Sequence, residues 1–77
     1  MAQILSPLPG TFYRSASPDK PPFKADGDDI AAGDVIGLIE VMKSFHEVRA
    51  ELAGKNIRFS VDNEDPVMAG APLADID

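Results

Sequence analysis

Short runs in which apolar and polar residues alternate are separated along this chain by clusters of turn formers. The clearest run is Asn56–Asp62, where Ile57, Phe59 and Val61 fall on one side and Arg58 and Ser60 on the other. That is the period of a half-buried strand. Ser6–Gly10, Ser15–Pro22, Asp26–Asp29 and Asp62–Pro66 read as turns or loops, being rich in Pro, Gly, Asp and Ser. Short strands between turns predict an all-β domain, a small antiparallel sandwich or barrel.

One segment is ambiguous. Leu38, Val41, Phe45, Val48 and Leu52 are spaced three or four apart, an amphipathic helix stripe bounded by Gly37 and Gly54. The same stretch also divides into two alternating pieces. Val35, Ile39 and Val41 are β-branched, and His46, Val48, Ala50 and Leu52 alternate with Glu47, Arg49 and Glu51. Local evidence alone slightly favours the helix. An internal repeat reverses that preference. Asp29–Glu40 aligns without gaps on Pro66–Asp77 at an offset of 37 residues, matching Ala32-Gly33 with Ala69-Gly70, Ile39 with Ile76 and Glu40 with Asp77. Upstream, Leu8-Pro9-Gly10 matches Leu52-Ala53-Gly54 at an offset of 44, so the first copy carries a surplus of seven residues, which falls in the loop Ser15–Pro22. Pro72 stands where the first copy has Val35, and proline opposes a long helix there. If both copies share one fold, residues 35–41 and 46–52 are strands of a hairpin with Met42-Lys43 at its tip.

Composition narrows the function. Seventy-seven residues make one domain, residues 1–77, too small to surround a sizeable substrate. A carrier, adaptor or binding module is therefore expected in place of a complete enzyme. With no cysteine and a single histidine, His46, there is neither a disulfide framework nor the makings of a metal cluster. A net charge of −6 argues against nucleic acid and anionic membranes as partners, since both need a basic face. The chain has no apolar run of membrane-spanning length and no leader pattern, which leads to the expectation of a soluble, cytoplasmic protein. His46 reads as a structural strand residue and the acidic loops as solvated turns without calcium-loop spacing. Phe12, Tyr13, Phe23 and Phe59 read as core packing.

At the hairpin tip, Glu40-Val41-Met42-Lys43 resembles the biotin-attachment motif Glu-Ala-Met-Lys of biotinyl domains, with Val41 in place of the alanine. Ser6–Arg14 followed by Ser17-Pro18-Asp19 is similar to the opening of the biotin carboxyl carrier proteins of bacterial-type acetyl-CoA carboxylase, and Gly33-Asp34 and Gly54 also stand where that family has them. The resemblance covers nearly the whole chain. It implies a flattened barrel or sandwich of two four-stranded antiparallel sheets related by a pseudo-two-fold, with the seven-residue surplus forming a protruding thumb loop.

The resemblance also implies a role. Lys43 would carry biotin as an amide on its Nζ, joined by a biotin protein ligase that reads Met42 and Glu40. For Glu40, a solvated strand-end carboxylate is an equally good reading. The domain would be a non-catalytic carrier in fatty acid biosynthesis, moving carboxybiotin from a biotin carboxylase to a carboxyltransferase. A lipoyl carrier fits less well, because those hairpins usually read Asp-Lys-Ala; an unmodified interaction module with the same fold is the other alternative. The chain departs from the family at Ser44, where methionine is common, and at Met68, where a glutamate often follows Pro-Val. The family's Ala/Pro-rich linker is absent from these residues, which suits either the C-terminal domain of a longer carrier or a short carrier standing alone.

Overall fold

The computed structural model describes residues 2–17 and 19–77. Seven strands follow one another: β1 Ala2–Leu5, β2 Gly10–Tyr13, β3 Val35–Val41, β4 Ser44–Arg49, β5 Arg58–Phe59, β6 Asp65–Val67 and β7 Pro72–Ile76. They form two antiparallel sheets, a three-stranded one ordered β1-β7-β5 and a four-stranded one ordered β4-β3-β2-β6. Among the described residues there is no helix. The all-β expectation holds, and so does the hairpin: β3 and β4 pair from Val35↔Arg49 to Val41↔Ser44. The second hairpin strand runs from Ser44 to Arg49 where 46–52 was expected. Leu38 and Phe45 of the helical stripe end up on the outer face while Val48 is buried. The three-four spacing was a coincidence of two strands.

The expectation of two four-stranded sheets needs correction: one sheet has three strands, and the two sheets do not close into a barrel. The place of the missing strand is taken by residues 27–30. Gly27 N–H donates to Ile57 O, Ile57 N–H to Asp28 O, and Ile30 and Gly54 exchange two hydrogen bonds. Pairing is real there but too irregular to make a ladder.

The pseudo-two-fold is visible bond by bond. β1 pairs with β7 at Ala2↔Ile76, Gln3↔Asp75, Ile4↔Ala74 and Leu5↔Pro72; shifted by the repeat offsets, these become the β4–β3 pairs His46↔Ile39, Glu47↔Leu38, Val48↔Gly37 and Arg49↔Val35. Both ladders break register at the same place. Gly33 and Gly70 both have positive φ, at 91° and 83°, in equivalent turns where the conformation suits glycine. Gly33 N–H donates to Ala50 O at 2.8 Å, and Gly70 N–H to Ser6 O at 2.7 Å. Asn56, at φ 56°, is one extra residue in the second half, in the left-handed region that asparagine tolerates.

Paired residues also build the core. Ile4 and Val48, Ile30 and Val67, Ile36 and Leu73, and Ile39 and Ile76 are equivalent positions, all buried. Phe12 and Ile57, both fully buried, are equivalent too once the extra residue Asn56 is counted. Val61 and Phe59 pack against this cluster, as the alternation predicted, although β5 itself is only two residues long.

Several loops differ in detail from expectation. Asp65 and Pro66, read as turn, lie in β6; this is a sheet edge, the place where a strand accepts proline because the missing N–H faces solvent. The loop Ser15–Pro22 is closed at its base by Phe23 N–H donating to Arg14 O at 2.9 Å; Pro18, within that loop, lies outside the described residues. Of the four aromatics expected in the core, Tyr13 faces outward. Phe59 lies at the core's edge, with the Arg14 guanidinium 4.1 Å above its ring.

Candidate functional site

The hairpin turn joins the two halves, and two residues make it. Met42 and Lys43 have φ of 50° and 67°, the left-handed pair that a two-residue hairpin loop needs to match strand twist. Asparagine and glycine fill such turns most easily; side chains such as these cost about 1–2 kcal/mol each in that conformation. The strands beneath hold the turn in place. β3 is flanked by β2 and β4, and Gly10 of β2 lies so close that a Cβ there would meet the Glu40 carbonyl and Ile39 Cγ2.

Side chains at the tip are free. Met42 is 93% exposed, and Lys43 is exposed. The four ion pairs of the described residues are Arg14–Asp26, Lys24–Asp34, Arg49–Glu47 and Arg58–Asp77, and Lys43 takes part in none of them. An amine held on a rigid turn, in water and without a partner, can be approached by another protein without any unfolding.

Glu40 is two residues from the turn and is more than a solvated strand end. Its Oε1 accepts a hydrogen bond from the Tyr13 hydroxyl at 3.1 Å, and the Tyr13 ring packs at 6.0 Å against Phe45, the residue opposite Glu40. The Glu40 carboxylate, by accepting this hydrogen bond, holds the Tyr13 phenol above its ordinary value of 10.0; desolvation of the hydroxyl and the negative charges of Glu40 and Glu64 add to the shift. Met68 follows Val67, which pairs with Gly10, so continued register sets it at the same end of the sheet as the turn. It is 71% exposed, two strand spacings or about 10 Å across from β3. The structure therefore gathers Glu40, Met42 and Lys43 at one end, with Met68 on the same rim. His46 is an exposed residue of β4, opposite Ile39.

Sequence reasoning missed Tyr13 and Phe45. The signal was available for Tyr13. Phe12 and Tyr13 are neighbours in one strand, so they cannot both face the core.

Comparison with known proteins agrees with this geometry. Residues 2–76 match the biotin/lipoyl family described as "Biotin-requiring enzyme". Among curated proteins, the chain is 40% identical over 70 residues to the biotin carboxyl carrier protein of acetyl-CoA carboxylase from Chlamydia pneumoniae, covering 91% of this chain and 42% of that protein. It is 45% identical over 73 residues to the protein of the same name from Streptococcus pyogenes, covering 95% of this chain and 44% of the relative. Against the chloroplastic biotin carboxyl carrier protein of acetyl-CoA carboxylase 2 from Arabidopsis thaliana the identity is 40%, over 91% of this chain and 28% of that one. The chain thus spans less than half the length of these relatives. It belongs to the biotin/lipoyl attachment family.

Proposed function

We propose that residues 1–77 form one biotinyl domain that carries biotin as an amide on Lys43 and serves as the non-catalytic carrier of an acetyl-CoA carboxylase. The observation that carries this reading is an unpartnered lysine on a rigid, left-handed hairpin turn in a chain of this family. Relatives named as biotin carboxyl carrier proteins favour biotin over lipoate, as does Met42 beside the lysine.

The chain's own contribution is placement. Nζ attacks the carbonyl carbon of a biotinyl-adenylate supplied by a biotin protein ligase; a C–N bond forms, the C–O bond to phosphate breaks, AMP leaves, and the nitrogen loses a proton. Lysine's ordinary pKa of about 10.4 leaves few neutral amines at pH 7, so activation belongs to the acyl-adenylate and the ligase. Once bound, biotin supplies a nitrogen that takes up and releases a carboxyl group. The turn and the lysine stem let that ring visit a biotin carboxylase and a carboxyltransferase while the domain stays folded, which raises its local concentration at both. Met42 and Glu40 are the residues the ligase reads first. The acidic, cysteine-free surface suits a cytoplasmic protein that binds neither nucleic acid nor anionic membrane; no helix of the described residues is long and apolar enough to cross a membrane.

Co-expression with a biotin ligase tests the reading. Streptavidin blotting should detect the wild type and lose Lys43→Arg, which keeps the charge but offers no usable amine. A signal surviving in Lys43→Arg overturns the site, and an intact mass showing lipoate, or no adduct, overturns the cofactor.

A further inference from the structure

A repeated fold supplies its own control. Equivalent positions on the outer faces of the two sheets share one backbone, so a difference between their side chains reflects something other than the fold. On the outer face of the four-stranded sheet, register builds two rows. Phe45, Glu40, Thr11 and Pro66 form the row nearer the tip; Glu47, Leu38 and Tyr13 form the next. Glu64, whose N–H donates to Phe12 O, adds its charge beside Tyr13. The centre is apolar and aromatic, and the rim carries three carboxylates. Phe45 is 58% exposed. No basic residue stands within these rows, although Arg49 pairs with Glu47 at the edge.

The other sheet keeps a carboxylate at the Glu40 position and differs at the other compared positions. Asp77 stands for Glu40, Asp75 for Leu38, Lys55 for Thr11 and Gln3 for Glu47. Arg58 crosses to Asp77 at 2.9 Å and closes the charge locally. That face is a self-neutralised, solvated surface. The first face presents exposed ring area; of its carboxylates Glu47 is paired with Arg49, while Glu40 and Glu64 take part in none of the ion pairs of the described residues.

We propose that this face, centred on Tyr13, Leu38 and Phe45 and rimmed by Glu40, Glu47 and Glu64, is the surface by which the enzyme that modifies Lys43 holds the domain. The proposal rests on the attachment reading above and extends it beyond the motif residues. Position chooses this occupant. The Glu40–Phe45 row is two residues, or about 7 Å, from the turn, and an enzyme acting on Nζ must sit against the hairpin. Enzymes that act on the far end of a long tether need not touch it. Charge sets the partner's chemistry: an apolar socket bordered by lysine or arginine, complementary to the acidic rim of a chain with net charge −6.

The test uses the full chain with a bacterial biotin protein ligase, ATP and biotin, and compares kcat/KM for carrier variants whose melting temperatures are measured alongside. Phe45→Ser, exposed and outside the core, should lower kcat/KM about tenfold, as loss of a buried aromatic anchor does. Glu47→Lys and Glu64→Lys should each lower it about threefold at low salt, with the loss fading near 1 M salt, where screening acts within about 3 Å. Glu51→Lys makes the same charge change off this face and should leave the rate unchanged. Unchanged rates for Phe45→Ser and Glu47→Lys, with the wild type still modified, overturn the docking surface and leave the attachment site standing. A wild type that accepts no biotin overturns both. Two further results reassign the face and overturn the proposal: a dimer of the wild type that Phe45→Ser dissolves, or normal biotinylation of Phe45→Ser with slowed carboxylation of the attached biotin.

Discussion

The β3–β4 hairpin and the β1–β7 pair are the same structure made twice, with equivalent pairings, the same register break and the same buried positions. One of them is closed by Met42 and Lys43; at the other, Ala2 faces Ile76 with no turn between. Everything the two share is scaffold. What the hairpin adds is a two-residue turn in a conformation its side chains disfavour, and a Tyr13–Phe45–Glu40 cluster on the outer face beneath it. The proposed chemistry lies in these additions, and the repetition isolates them.

Changing one copy at a time sharpens the comparison. The largest effect is expected at Gly37, where a Cβ would lie 2.5 Å from Phe12 Cε1 and 2.7 Å from the Tyr13 carbonyl. Gly37→Ala should cost about 1–3 kcal/mol by overpacking, lowering the melting temperature by about 4–8 °C per kcal/mol. Its equivalent is Ala74, where a methyl group already fits; Ala74→Gly should cost only about 0.5–1 kcal/mol. Equal losses in thermal melts would mean that the halves are packed alike at this point.

Next come Gly10 and Gly54, which press on Ile39-Glu40 and Ile76-Asp77 respectively. Gly10→Ala and Gly54→Ala should destabilise by similar amounts, about 1–3 kcal/mol. Only Gly10→Ala should also slow biotinylation, because only it displaces the strand that leads to Lys43. A matching rate loss in Gly54→Ala would show that general loosening, and not hairpin position, governs the ligase.

Tyr13 is the sole tyrosine and the chain has no tryptophan, so alkaline titration of the phenol reads this residue alone. Its midpoint should lie above 10.0 and fall back towards it in Glu40→Gln. Because the folded value is raised, this contact's contribution is intact below pH 10.0 and is lost as pH rises through the folded value. A midpoint at 10.0 in the wild type would remove the Tyr13–Glu40 bond from the site.

The smallest effect concerns the opposite face. Asp77 is held below its ordinary 3.8 by hydrogen bonds from Arg58 and Asn56, and Asp34 by the Ala31 N–H and then Lys24. Depressed carboxylates stabilise fully above pH 3.8, and that contribution is lost as pH falls through their folded values. Asp77 is exposed, so Asp77→Asn should move the acid unfolding midpoint only slightly, with no change in biotinylation. A large shift on circular dichroism would mean that the Arg58–Asp77 pair supports the sheet more than an exposed ion pair does.

Much of this was legible in the sequence because a repeat is stronger evidence than local propensity. Residues 38–53 look helical by spacing, and only the alignment of Asp29–Glu40 on Pro66–Asp77 selected the hairpin. Long-range pairing decided the outcome, as it often does for strands. The fourth strand of the smaller sheet was not legible. Asp26–Asp29 has the composition of a turn, yet the backbone of residues 27–30 bonds to Ile57 and Gly54 across the sheet, a pairing that side chains do not announce. Tyr13 was misread for a different reason: its apolar neighbours suggested burial, while its strand position required the outer face. The aromatic pair with Phe45 depends on register between β2, β3 and β4, which alternation within any one strand does not specify.

The Met42 and Lys43 side chains are exposed and lie outside the core, and this has a cellular consequence. On the proposal that Lys43 carries biotin, loading it should leave the packing unchanged, so loaded and unloaded molecules should melt at the same temperature and resist proteases alike. Quality control that recognises unfolding has no means of removing the unloaded form. Empty carriers would persist and occupy the same partners as full ones, making the working output of the system a matter of the ratio between them. Supply of the modifying enzyme, and not turnover of the carrier, would then set that ratio.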